Sequence, residues 1–288
     1  MDENTGDLPA CLAKVKERLE WDSTPHRLVL PDGKVRAKGI SCFWKAPAIP
    51  TFTDAGAVLY FADDGSATLS TGVIEIGQGA HEGLRMLVAE ALQTDLDHVH
   101  VTRAVDTDRS PHDWATAASR SLFMAGRAAL EAVADAVAQI RHTAAVPLQC
   151  RPEELDVAGG RVFVRAELAR FLPLEKVVLG YVYPNGNAIG GPVVGRGRYI
   201  TPDLTGLDPE TGAGKPWLEW TLGAEGVEVE IDPADGAIRV LKSACAMDVG
   251  KLVHPALARG QVVGAMAMGI GYSLCEGFVF DARQVVQN

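Results

Sequence analysis

The sequence predicts an α+β fold of two subdomains, each a layer of mixed β-hairpins and sheet packed with helices. Three observations carry this. Period-two hydrophobic alternation marks hairpins over 55–72 and 226–248. Helical 3.6-residue spacing recurs over 8–21, 79–92 and 119–140. A Gly-Gln pair stands ahead of a helical pattern twice, at Gly77-Gln78 and Gly260-Gln261. Two similar units are therefore expected, 1–148 and 149–288, although the sequence does not repeat itself.

Taken in order, Leu8, Cys11, Leu12, Val15 and Leu19 fall on one helical face. Pro25, Pro31, Asp32 and Gly33 then predict a loop. Residues 55–72 alternate around Asp63-Asp64-Gly65, a turn signal between two strands. Leu84, Leu87, Val88, Ala91 and Leu92 give the next helix its apolar side. His98 to Ala104 alternates as a strand with one buried face, and Ser119 to Ile140 is an Ala-rich helix. Residues 146–215 are broken by Pro and Gly, with two weak strands (161–164 and 176–182) and a long loop over 191–216. A loop of that length is usually functional or a partner contact. The second hairpin turns at Pro233–Gly236, and Gln261 to Leu274 reads as a Gly- and Met-rich helix.

Composition narrows the function classes. Apolar residues make up 47% of the 288, enough for a sizeable core, so disorder is excluded as the main state. The net charge of −10 argues against a general nucleic-acid or anionic-membrane binder. No apolar run approaches the roughly 20 residues of a membrane span. The N-terminus is acidic and then amphipathic, unlike a secretory signal, so a cytoplasmic protein is expected. The five cysteines are scattered without a CxxC pair, which excludes a zinc ribbon or an iron–sulfur cluster and predicts reduced thiols. His98 and His100 have metal-binding spacing but no third ligand nearby, so a solvated strand face is expected. No G-x-S-x-G elbow supports a Ser nucleophile.

Three segments could carry chemistry. In Glu75-Ile76-Gly77-Gln78-Gly79-Ala80-His81 a strand gives way to a helix. Glycines there let the backbone approach a ligand closely, and first-turn N–H groups face an anion. Gln78 can both donate and accept. The spacing fails both the dinucleotide fingerprint and the P-loop, so a tight structural turn and a phosphate or cofactor cradle stand side by side. In Trp114-Ala115-Thr116-Ala117-Ala118-Ser119-Arg120-Ser121, small residues and hydroxyls precede a long helix. Ser119 or Ser121 is an N-cap on one reading and part of a second anion site on the other, with Arg120 in an exposed salt bridge. In Met247-Asp248-Val249-Gly250, Asp248 caps a turn, followed by His254-Pro255 and Gly260-Gln261.

Together these segments resemble the molybdenum-binding part of the xanthine oxidase / aldehyde oxidase family of molybdenum hydroxylases. The resemblance runs from about Cys11 to Glu276, through 71–126 and 223–277. It implies a molybdenum ion held by the dithiolene of a molybdopterin, often a cytosine dinucleotide in bacteria, with no direct protein ligand to the metal. It also implies hydroxylation of an N-heteroaromatic or aldehyde with oxygen from water, two electrons leaving through iron–sulfur clusters. Gly77, Gln78 and Gly79 match the family's Gly-Gln-Gly turn at the pterin. Thr116, Ala117, Ala118, Ser119 and Ser121 match its small/hydroxyl loop, Ala118 being the small residue facing the metal pocket. Gln261 matches the glutamine at the start of a later helix that hydrogen-bonds the pterin. Asp248 and Gly250 match a structural Asp-Val-Gly turn, and His254 stands where Asn is common.

The resemblance also implies incompleteness. The family's front half and its base glutamate fall outside this chain, and Glu276-Gly277 matches a different position. No catalytic residue is therefore assigned, and the chain is expected to be inactive alone. It is expected to be a medium subunit of a split enzyme, as in nicotinate dehydrogenase, or a truncated reading frame. The expected partners are a larger molybdenum-binding subunit, a small [2Fe–2S] subunit and an FAD subunit, docking on an exposed apolar patch. The alternatives are an inactive structural or assembly subunit, or an anion-binding module unrelated to molybdenum.

Overall fold

The computed structural model describes residues 6–46, 53–218 and 220–287. The acidic start, residues 2 and 3, lies outside the described residues. Along the chain run α1 (Leu8–Arg18), β1 (Arg27–Val29), β2 (Val35–Lys45), β3 (Asp54–Phe61), β4 (Ala67–Thr71), α2 (Ala80–Leu92) and β5 (Val99–Val101). Then come α3 (Ser121–Ala145), β6 (Leu155–Ala158), β7 (Arg161–Val164), β8 (Glu167–Pro173), β9 (Tyr181–Val182), β10 (Ala188–Ile189) and β11 (Val194–Ile200). The last are β12 (Thr221–Ile231), β13 (Ile238–Asp248), α4 (Pro255–Leu274), β14 (Val279–Phe280) and β15 (Val286–Gln287). The mixed helix-and-sheet fold is the α+β class that the sequence predicts.

The chain forms two compact units, 1–46 with 219–288, and 47–218. The first holds an antiparallel sheet in the order β1-β2-β12-β13. β12 and β13 are the hairpin expected from alternation. β2 pairs with β12 along its whole length, from Val35↔Ile231 to Lys45↔Thr221. That pairing makes the unit discontinuous in sequence. It has no local turn signal, and β2 lies where the sequence marks only the preceding loop. Cys11, Val15 and Leu19 pack α1 against Ala224 of β12, using the face the helical spacing picks out.

The second unit holds a sheet in the order β11-β3-β4-β5. β3 and β4 are the expected hairpin, from Ala57↔Thr71 to Phe61↔Ala67. β4 and β5 run parallel, joined through α2. β5 is shorter than the alternation suggests, and His98 and His100 are both exposed, as expected of a solvated face. α3 buries Ala125, Ala128, Ala129, Ala132, Val133, Ala136 and Ile140 in the core.

Several features differ from the sequence reading. The long loop over 191–216 contains β11, an edge strand seven residues long. A Cβ on Gly195 would overlap the Ala132 carbonyl oxygen, and one on Gly197 the Ala128 carbonyl oxygen. These glycines let a strand lie directly on the helix backbone, so what reads as loop composition is a packing requirement. α3 also covers the edge. Glu131 accepts from Arg198 N–H, Asp135 from Arg196 N–H and Gln139 from Val194 N–H, one helical turn per strand residue pair. Secondly, the 148/149 division falls inside the second unit. Leu155, Val157, Val162 and Val164 of the three-stranded sheet β6-β7-β8 share one core with α3. Of the weak strand expected over 176–182, only Tyr181–Val182 is extended, while β6 and β8 are strands the sequence reading leaves out.

Candidate functional site

The Gly-Gln-Gly segment is the loop between β4 and α2. Gly77 and Gly79 adopt φ of 102° and 79°, a region that favours glycine, and Gly79 is the N-cap residue of α2. The Gln78 side chain folds back over its own turn. Its Oε1 accepts from Ile76 N–H at 2.7 Å and its Nε2 donates to Ile74 O at 2.8 Å. The N–H groups expected to face an anion are engaged by Glu75. Its Oε1 accepts from Gly77 N–H at 3.0 Å and Gly79 N–H at 2.8 Å, and its Oε2 from His81 N–H at 3.1 Å. Partial burial pushes the Glu75 carboxyl up, but these bonds and the His81 charge outweigh it and hold it below its ordinary value. Beside the turn, a Cβ on Gly77 would meet nothing within 4 Å.

The small/hydroxyl segment seats on the same loop. Thr116 Oγ1 accepts from Ile74 N–H at 2.9 Å. Ile74 therefore gives its N–H to Thr116 and its carbonyl to Gln78, so one residue joins the two segments. Ala118 and Ser119 both hold a φ of 56°, two consecutive non-Gly residues in the left-handed region. Such strain persists only where the surroundings impose it, and it concentrates at ligand sites.

The clasp that imposes it is Arg120. Its side chain and that of Asp113 are 0% and 1% exposed, and they pair at 2.9 Å. Arg120 also donates to Ala115 O at 2.7 Å and to Asp54 O at 2.9 Å, tying the segment to the start of β3. Burial pushes the Asp113 carboxyl up, with the guanidinium offsetting part of the rise. Arg120 is thus a buried bracket and not the exposed salt bridge expected. The N-cap expectation also changes. Arg120 occupies that position in α3 without a side-chain cap bond, Ser119 precedes it, and Ser121 lies buried in the first helical turn.

The third set lies in the other unit. Asp248 accepts from Gly250 N–H at 3.0 Å and Asp7 N–H at 3.1 Å, and these bonds hold its carboxyl below the ordinary value. It caps its turn, as expected. His254 is the N-cap of α4, its Nδ1 accepting from Leu257 N–H at 3.3 Å, so the imidazole does there what an Asn side chain does. Gln261 does not open the helix. α4 begins at Pro255, and Gly260-Gln261 sits in its second turn, exposed. The second Gly-Gln pair is therefore no turn, because Pro255 starts the helix five residues earlier.

The molybdopterin cofactor-binding domain family matches residues 14–288. The chain belongs to it. The molybdenum-binding subunit of a xanthine dehydrogenase from Escherichia coli O157:H7 is 29% identical over 98% of this chain and 36% of that subunit. The gamma subunit of the 6-hydroxypseudooxynicotine dehydrogenase complex from Paenarthrobacter nicotinovorans is 27% identical over 91% of this chain and 31% of its own length. The chain thus spans about a third of these relatives. Among solved structures, a Cu,Mo-containing CO dehydrogenase matches with a TM-score of 0.77 at 19% identity, covering 98% of this chain and 36% of that one. Quinoline 2-oxidoreductase from Pseudomonas putida 86 matches at 0.73 and 21%, covering 98% and 36%. This molybdopterin-binding chain therefore has the fold of molybdenum-hydroxylase cofactor domains.

Sequence reasoning passed over three residues of the site: Glu75, Ile74 and Asp113. A carboxylate just ahead of a Gly-x-Gly helix start was a readable signal for the first. Nothing local marks Ile74, whose role lies in its backbone. Among the described residues no group of three or more His, Cys, Asp and Glu could hold a metal ion. Nor is any helix among them long and apolar enough to cross a membrane.

Proposed function

We propose that this chain is a cofactor-holding part of a molybdenum hydroxylase that hydroxylates an N-heteroaromatic or aldehyde substrate with water-derived oxygen. The observation that carries the reading is the double use of Ile74, which brings the Gln78 turn and the Thr116 loop to one place. The residue types fit a pterin. Gln78 and Thr116 supply neutral donors and acceptors, Gly77 and Gly79 admit close approach, and Ala117 and Ala118 keep side chains out of the way. Ser119 adds an exposed hydroxyl, and Ser121 closes the segment from the first turn of α3.

The molybdenum of the bound molybdopterin, mononucleotide or cytosine dinucleotide, supplies the redox chemistry. This chain's residues hold and orient. Asp113 and Arg120 fix the Thr116–Ser119 path, and the Gln78 amide is held in one sense by its two backbone bonds. The partner this reading calls for is a larger molybdenum-binding subunit. A small [2Fe–2S] subunit and an FAD subunit carry electrons away, all in the cytoplasm. α4 supports a docking partner, since it buries no residue and exposes Val263, Met268 and Tyr272. Purification with co-purifying proteins, followed by molybdenum, phosphorus, iron and flavin measurement, tests this. Stoichiometric molybdenum in a heteromer supports it. A lone metal-free chain leaves the structural or assembly subunit, and phosphate binding without pterin fluorescence leaves an unrelated anion module.

A further inference from the structure

Glu75 reaches past the turn it precedes and takes three backbone N–H groups on one carboxylate, those of Gly77, Gly79 and His81. Charge-assisted bonds of this kind are roughly twice as strong as neutral ones. Two of the three donors belong to residues at positive φ, so the carboxylate fixes the part of the backbone with the most freedom to move. Between them sits Gln78, whose amide is locked in sense. Exchanging its oxygen and nitrogen would set two donors face to face at Ile76 and two acceptors at Ile74. Its remaining capacity, one N–H on Nε2 and one lone pair on Oε1, is what the turn can offer a ligand. The low-lying carboxyl means that Glu75 is charged wherever the protein is folded near neutrality.

We propose that Glu75 is a positioning residue of the molybdopterin site. Its carboxylate holds the Gly77–Gln78–Gly79 turn in the backbone path from which the Gln78 amide meets the cofactor, and it leaves no room for a phosphate on those three N–H groups. This rests on the molybdopterin reading above.

Glu75→Gln tests it in the full chain and its native complex, beside Gln78→Ala. The substitution keeps the shape, removes the charge and places an NH2 against one of the three donors. Amide hydrogen exchange reports the turn, and pterin fluorescence after oxidation reports cofactor content. Exchange at Gly77, Gly79 and His81 is expected to quicken about tenfold, with α3 amides unchanged as the control for folding. Pterin content falls in parallel, as it does in Gln78→Ala. If exchange quickens but only Gln78→Ala loses pterin, the positioning role is overturned and the molybdopterin reading stands. If exchange at the three amides is unchanged, the carboxylate does not hold the turn, and the proposal is overturned whatever the pterin content. A wild-type complex without pterin overturns both.

Discussion

The dipeptide Gly-Gln occurs at 77–78 and at 260–261, and the two copies do opposite things. At 77–78 the chain turns: both flanking glycines take positive φ, Gln78 bonds back to the Ile74 and Ile76 backbone, and Glu75 pins the N–H groups. At 260–261 the chain is helical, and the Gln261 side chain is exposed on α4. The difference comes from what stands upstream. Pro255, with the His254 cap, starts α4 before the second Gly-Gln is reached. Ahead of the first, β4 ends at Thr71 and Glu75 occupies the helix entrance, so the Gly-Gln must make the turn itself. A dipeptide matched by motif specifies chemistry only together with the element it falls in.

Four perturbations sharpen this contrast, from large to small. Arg120→Met leaves the buried Asp113 without its ionic partner, and breaking one partner of a buried pair costs about 3–5 kcal/mol. Urea denaturation should show that loss, and a cost within about 0.5 kcal/mol, as for an ordinary surface change, would mean the clasp does not hold the loop. Gly79→Val forces a branched side chain to φ 79° at the α2 N-cap. It should cost about 1–3 kcal/mol of stability and remove more pterin than any change at Gln78. Gln78→Ala should weaken cofactor retention by about 1–3 kcal/mol, read as pterin per chain after dilution. Gln261→Ala should leave unfolding within about 0.5 kcal/mol of wild type, because an exposed helical side chain has little to lose. A stability loss there as large as at Gly79 would erase the distinction between the two copies.

Acid should act on both units through carboxylates that accept backbone N–H bonds. Asp248 and Glu75 lie below their ordinary values of 3.8 and 4.5 when folded. Their contribution is complete above those values and is lost as pH falls through the lower folded ones. Asp248→Asn should therefore flatten part of the acid limb of a stability–pH curve below about pH 4. An unchanged limb would mean the Gly250 and Asp7 bonds do not favour the charged form.

Local patterns were legible and distant pairings were not. The two hairpins, α1 and the buried side of α2 follow from spacing alone, though Ala91 is exposed while Ala80, Gly83 and Ala89 are buried. β2 was hidden because only its first three residues pair locally, with β1, while its full-length partner β12 lies more than 170 residues away, and β11 because Gly195 and Gly197 look like loop residues until α3 is laid on them. For the site, the motif resemblance named Gln78 and Thr116. It could not show that both bond to Ile74, since a backbone role leaves no mark on residue type. Arg120 looked like a surface charge because burial depends on Asp113 and Asp54, brought together only by the fold.

The central claim is that the 72–79 turn and the 113–120 loop are one binding surface joined at Ile74. A double-mutant cycle on molybdopterin retention, with Gln78→Ala and Thr116→Ala, measures that union directly. Each single change should weaken retention, and the pair should show a coupling energy above about 0.5 kcal/mol. Losses that simply add, or a Thr116→Ala variant that retains the cofactor as wild type does, would contradict it.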